Sequence, residues 1–169
     1  MQTRKARKAV SPIFSAVLIT MLVIFVVILV TSAGLPLLDQ MNDQMKFEKA
    51  RNQLTKINEK INNVLLSENS RQEIQLNLSE MQLDVNKDNE TIEINYALEK
   101  ASFNENNYKK TLNELYWKRV GETMKLGLDY SNTFINLDSN LTMMNGIMQI
   151  VIENKSADEN YTYISITKK

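Results

Sequence analysis

Hydrophobic and polar residues follow three successive patterns along the chain. From Ile13 to Val30 the sequence reads IFSAVLITMLVIFVVILV, interrupted only by small or hydroxylated residues. This run is apolar all round, whereas a helix lying on a soluble core would keep a polar face. Extended to Leu38, it spans about 39 Å as a helix, more than the roughly 30 Å hydrocarbon core of a bilayer. The pattern predicts a membrane-inserting helix. Gly34 and Pro36 sit at its end, where a helix kinks or briefly breaks.

The second pattern is helical and amphipathic. Phe47, Ala50, Leu54, Ile57, Ile61 and Val64 recur at spacings of 3, 4, 3, 4 and 3, which is one stripe on a helix. Met41, Met45 and Leu65 widen the stripe, and Lys49, Arg51, Lys56, Glu59 and Lys60 occupy the other side. A stripe of this kind needs an apolar cover. The chain's own downstream domain is the favoured cover for Leu54 through Leu65, because a coiled-coil stalk needs more heptads than the sequence shows.

After Ser67 the period changes to two. Ile74, Leu76 and Leu78 alternate with polar residues, as do Met81, Leu83 and Val85, and then Ile92, Ile94 and Tyr96. Such alternation predicts half-buried strands. Asn86-Lys87-Asp88-Asn89 reads as a hairpin turn. Residues 99–114 are polar and Asn-rich and read as an exposed loop or short helix. Strands resume at Met124–Tyr130 and Phe134–Leu137. After a turn at Asn145-Gly146 come Met148–Ile152 and Tyr161–Ile166. The expected fold class is α+β: a long hydrophobic-then-amphipathic helix followed by an antiparallel β-sheet or small β-sandwich of six to eight strands.

Charge sharpens the division. Arg4, Lys5, Arg7 and Lys8 crowd the first nine residues without an acid among them, and no charged residue lies between Ala9 and Leu38. The remainder holds 16 of the 20 basic residues and all 20 acidic ones. An acidic body predicts no nucleic-acid partner. The basic leader fits the cytoplasmic side of a membrane, which places the C-terminal part outside. The predicted organisation is a basic leader at 1–9, a hydrophobic transmembrane or filament-core helix at 10–38, an amphipathic helical stalk at 39–66 and a β-rich extracytoplasmic head at 67–169. The chain has no Cys and no His. Disulfides, thiolate metal sites, Cys nucleophiles and a Ser-His-Asp triad are therefore excluded within it. With no phosphate-binding Gly-rich loop and no carboxylate pair in a catalytic context, the sequence predicts no enzyme, no cofactor and no metal site.

Three fates are open to the apolar segment. It is retained as a plain anchor, removed as a secretory signal after Thr31-Ser32-Ala33, or retained after a cut upstream of it. Its length exceeds that of an ordinary signal h-region. Arg7-Lys8-Ala9-Val10-Ser11-Pro12 supplies a basic pair, a small residue and then Val-Ser-Pro opening the helix. Ser11 suits an N-cap and Pro12 suits the first helical position. This order of elements resembles the archaeal type IV prepilins over about the first 38 residues. The resemblance implies cleavage by a prepilin peptidase between Ala9 and Val10, with the helix kept on the mature protein. It also implies self-association or association with other pilins through that helix, and engagement of a pilus assembly machinery. Bacterial members carry Glu at the fifth mature position, where this chain has Phe14; archaeal members generally lack it. The helix-then-strands order is likewise similar to the pilin plan.

The reading that follows is a structural subunit, major or minor, of an archaeal type IV pilus-like surface filament, embedded in membrane lipid before assembly. The alternative is a single-pass membrane-anchored surface protein that does not polymerise and carries a β-rich binding domain, or a component of an archaellum or secretion machine.

Five Asn-x-Ser/Thr sequons occur, at Asn77, Asn89, Asn140, Asn154 and Asn160. The chain's 20 Asn and 22 Ser and Thr would produce about two to three by chance. Each is a candidate N-glycosylation site on an exported head. Asn89 leads because it falls in a turn, while Asn77 falls inside a strand. Asp84-x-Asn86-x-Asp88-x-Glu90 mimics the opening of a calcium loop. The required Gly is replaced by Asn89 and the closing Glu by Asn95, so a hairpin turn explains these residues better. Tyr116-Trp117-Lys118-Arg119 holds the sole Trp, expected to anchor the sheet core.

Overall fold

The computed structural model describes residues 12–99, 115–144, 146–158 and 160–169. Helix runs from Pro12 to Leu65. It comprises α1 (Pro12–Leu29), a π-helical turn (Val30–Gly34) and α2 (Leu35–Leu65). The helix does not stop at Gly34 and Pro36. Pro36 has no N–H to give the preceding turn, and its ring crowds the carbonyl four residues back. The wider π turn just ahead of it is how a helix absorbs such a fault without ending. There Thr31 donates its hydroxyl to the Val27 carbonyl at 2.9 Å, and Ser32 donates to Leu29 at 3.3 Å.

The chain forms two compact units, one up to Asp39 and one from Gln40 onward. In the first, α1 buries none of its residues. The second unit holds the rest of α2 and nine strands among the described residues: β1 (Arg71–Asn77), β2 (Met81–Asn86), β3 (Thr91–Ala97), β4 (Leu115–Val120), β5 (Thr123–Asp129), β6 (Ile135–Leu137), β7 (Leu141–Met144), β8 (Ile147–Ala157) and β9 (Thr162–Lys168). They make a five-stranded sheet of order β4-β5-β3-β2-β7 and a four-stranded sheet of order β1-β8-β9-β6.

Neighbouring strands are antiparallel except β6 and β9, which run parallel with Ile135 opposite Thr162. The β region is thus antiparallel-rich, as the α+β plan expects, with this one parallel pairing. After β5 the chain leaves the first sheet and enters the second beside β9, and the three-residue β6 keeps that direction.

Two strands lie outside the period-two reading. β4 hides its alternation because Tyr116, on the outer face, is buried like a core residue. Tyr116 lies opposite Gly127, and a Cβ at Gly127 would come within 2.5 Å of the tyrosine ring. Glycine is thus needed for close approach rather than for its dihedral freedom. The ring crosses Gly127 to place its hydroxyl on Glu93, to which it donates a hydrogen bond. β7 is only four residues long, too short for a pattern.

The core is one cluster drawn from the helix and both sheets. α2 contributes Ala50, Leu54, Ile57, Ile61 and Val64, all fully buried. The five-stranded sheet contributes Leu83, Ile92, Ile94, Met124 and Leu126, and the four-stranded sheet Leu76, Ile150, Ile152, Ile164 and Ile166. The stripe predicted from sequence is therefore covered by the chain's own strands. Trp117 is only partly buried and packs against this cluster rather than within it. Each aliphatic side chain so buried contributes about 1.5–3 kcal/mol. Leu54→Ala should cost about 2–5 kcal/mol through lost transfer energy and a residual cavity. Lys56→Ala, on the exposed face, should stay within about 0.5 kcal/mol. Urea unfolding of the detergent-solubilised protein compares the two.

Candidate functional site

Two surfaces carry the functional reading: the apolar helix α1 and the outer surface of the β-rich unit. Along α1 the side chains from Ile13 to Leu29 are lipid-compatible and nearly all exposed; Ile13 is 77% accessible and Met21 66%. The threonine hydroxyls of the apolar run bond back onto the helix. Thr20 donates its hydroxyl to the Ala16 carbonyl at 2.9 Å, and Thr31, in the π turn, donates to Val27 in the same way. Helices cross a water-free layer only when every backbone and hydroxyl group finds such a partner. By length and composition, α1 and its continuation can cross a membrane. Pro12 is the first described residue and is already helical. Arg4, Lys5, Arg7, Lys8, Ala9, Val10 and Ser11 lie outside the described residues, as do residues 100–114 and Asn145.

The five sequon asparagines occupy different environments. Asn77 ends β1 and is exposed, and its Oδ1 accepts from the Ser79 backbone N–H at 3.2 Å and the Ser79 hydroxyl at 2.7 Å. Asn89 is exposed in the β2–β3 turn, where its N–H and that of Asp88 donate to Asn86 Oδ1. That turn is what the calcium-like sequence builds: Asp84 accepts from Gln82 and Asn95, and Glu90 turns away toward Leu137. Asn140 is exposed, with Oδ1 accepting the Lys87 N–H at 2.9 Å. Asn89 and Asn140 both line a polar groove of about 580 Å³ with Asp84, Thr91, Glu93 and Thr142. Asn160 is exposed just before β9.

Asn154 differs and must be corrected. It is 2% exposed, and its Nδ2, the atom a glycan would occupy, donates to the carbonyls of Val64 at 3.2 Å and Ser67 at 3.3 Å. These are carbonyls at and just beyond the C-terminal end of α2, which have no partners within the helix. In the folded protein Asn154 is a helix cap from a distant strand, not an attachment site. Ser70 adds a second cap, its hydroxyl donating to Val64 at 2.6 Å.

A second cluster, near the start of the head's portion of α2, is absent from the sequence reading. Asp43 is fully buried and its Oδ1 accepts the Glu99 N–H at 2.9 Å. Lys46 reaches Glu99 at 2.9 Å and Glu80 at 3.4 Å. Its hydrogen bond to Glu99 holds the ammonium above its usual pKa, against a smaller effect of burial. The Lys46 hydrogen bond likewise holds the Glu99 carboxyl below its usual range. Tyr96, buried beside this cluster, has its hydroxyl pushed up by burial and then by the Asp43 charge. A charged residue on an apolar stripe, seven positions before Ala50, was the only signal in the sequence.

Glu90 carries a stored cost. Its backbone is left-handed at φ 56°, its carbonyl accepts the Tyr130 N–H at 2.9 Å, and its Oε2 is buried without a hydrogen-bond partner. Burial pushes its carboxyl up, opposed by a hydrogen bond from the Leu137 backbone. The folded state therefore binds this proton more readily than the unfolded chain, whose Glu titrates at about 4.3. Its contribution to stability rises as pH falls through the raised folded value and is complete below the unfolded one.

Two outcomes follow. Glu90→Gln should be more stable than the parent at pH 7, with the gap shrinking at pH 5; a gap in urea midpoint that stays constant between the two pH values would contradict this. Asn154→Leu should lose about 1–3 kcal/mol by removing two buried hydrogen bonds to the Val64 and Ser67 carbonyls, which keep only their bonds from Ser70, read by the same unfolding curves. The chain matches no protein-family model, no curated protein and no solved structure.

Proposed function

We propose that this protein is a structural subunit of a type IV pilus-like surface filament, processed by a prepilin peptidase between Ala9 and Val10. The observation that carries the proposal is α1: an 18-residue helix with no buried residue, within a 30-residue charge-free run. It stands in the same chain as a β-rich unit that buries the amphipathic part of α2 for itself. With that stripe already covered, α1 is the surface left for assembly. In lipid its contacts are with acyl chains, and in a filament they are exchanged for contacts with other α1 helices. Neither setting tolerates charge: a Lys or Arg at the centre of such a helix costs roughly 2.5–3.5 kcal/mol in a bilayer. The head then covers the filament outside the cytoplasm. Without a carboxylate at Phe14, subunits associate by apolar packing alone.

The N-terminus and intact mass of the protein recovered from its own cell surface test this reading. A start at Val10, together with filaments visible by electron microscopy, is the expected result, and Ala9→Trp should abolish that processing. A start at Met1 identifies a membrane anchor that does not assemble this way. A start at Gly34 identifies a secreted head.

A further inference from the structure

The end of the four-stranded sheet carries an aromatic surface that the filament reading does not use. Ile135 and Leu137 of β6, and Ile164 and Ile166 of β9, face the core. Alternation then sends Phe134, Asn136, Tyr161 and Tyr163 to the outer face. The parallel register sets Asn136 beside Tyr163, and the Thr162 N–H donates to the Phe134 carbonyl at 2.7 Å, holding Phe134 beside Tyr161. Phe134 is 59% exposed and Tyr161 43%. Leu66, Val120 and Ile147 are also exposed, but the register brings Phe134 and Tyr161 side by side.

The segment beside them is held rigidly. Asp158 Oδ1 accepts the backbone N–H groups of Asn160 at 2.9 Å and Tyr161 at 2.7 Å. Its other oxygen accepts the Tyr163 hydroxyl at 3.1 Å. These bonds leave the Asn160 side chain exposed at the rim of the aromatic surface. Asn160-Tyr161-Thr162 is also a sequon. Among the five sequons, Asn154 is a buried cap, Asn77 is tied to its own Ser79, and Asn89 and Asn140 border a groove whose lining contains no aromatic residue.

We propose that Asn160 carries an N-linked glycan whose first sugar lies on the platform formed by Phe134 and Tyr161. The donor is an oligosaccharide activated on a lipid phosphate. A bond forms between Asn160 Nδ2 and the sugar anomeric carbon, the bond from that carbon to the phosphate oxygen breaks, and Nδ2 gives up one proton as the lipid phosphate departs. A pyranose presents a face of C–H groups. The electron-rich faces of Phe and Tyr attract such groups, and the hydroxyls remain free to meet Asn136 and Asp158. The sugar thereby covers exposed ring surface that the head cannot bury itself. The proposal rests on an outward-facing head and not on filament formation.

Glycopeptide mass spectrometry of the full-length protein from the cells that make it should find Asn160 modified. Phe134→Ser lies outside the sequon and should leave that modification in place while lowering Tm by about 2–4 °C. In an Asn160→Gln background the same substitution should leave Tm unchanged. An unmodified Asn160 in protein whose head is cleaved by external protease on intact cells would overturn the proposal while sparing the topology. A head protected from protease would overturn both. Equal effects of Phe134→Ser with and without the glycan would show that the platform is not its seat.

Discussion

The apolar stripe of α2 is the interaction on which the head depends. Ala50, Leu54, Ile57, Ile61 and Val64 are fully buried and belong to the same cluster as the inner faces of both sheets. The two sheets share no strand and no ladder hydrogen bonds, so beyond the chain connections and the Leu137–Glu90 hydrogen bond it is side-chain packing that holds them in one unit. Small sheets with one apolar face are not stable without a cover. The stripe from Ala50 to Val64 supplies the helical part of that cover.

Polar groups fix the helix within the head. Near its C-terminal end, Asn154 and Ser70 satisfy the carbonyls of Val64 and Ser67. Toward its other end, Asp43 receives the Glu99 N–H and Lys46 binds Glu99 and Glu80. Apolar packing is non-directional and tolerates sliding along the helix axis. Hydrogen bonds to buried groups do not, because a slip leaves a carboxylate or carbonyl unpaired. These contacts define the register of α2 against the strands. Asp43 and Asn154 look misplaced in the sequence, and in the structure they set that register.

The first unit obeys a different constraint. α1 offers no polar face and buries nothing, and its Thr20 hydroxyl turns back onto its own helix. By length and composition it is a helix that could cross a membrane. The π turn at Val30–Gly34 keeps the backbone helical past Pro36, so the chain passes from one environment to the other without exposing a broken helix end.

Periodicity in the sequence determined the α+β plan, the membrane-compatible helix, the buried stripe from Ala50 to Val64 and seven of the nine described strands. These are short-range properties, written in the spacing of apolar residues. Tertiary structure alone decided the rest. β4 was hidden because Tyr116 is buried on the wrong face by lying across Gly127, a contact between strands. The parallel pairing of β6 with β9 depends on where the chain crosses between sheets, which no local pattern records. Whether a sequon asparagine is exposed or is a buried cap is likewise invisible in three letters. Asn154 and Asn160 carry the same motif six residues apart. They part company because one faces the end of a helix and the other sits exposed at a turn, a distinction made only by the residues that fold against them.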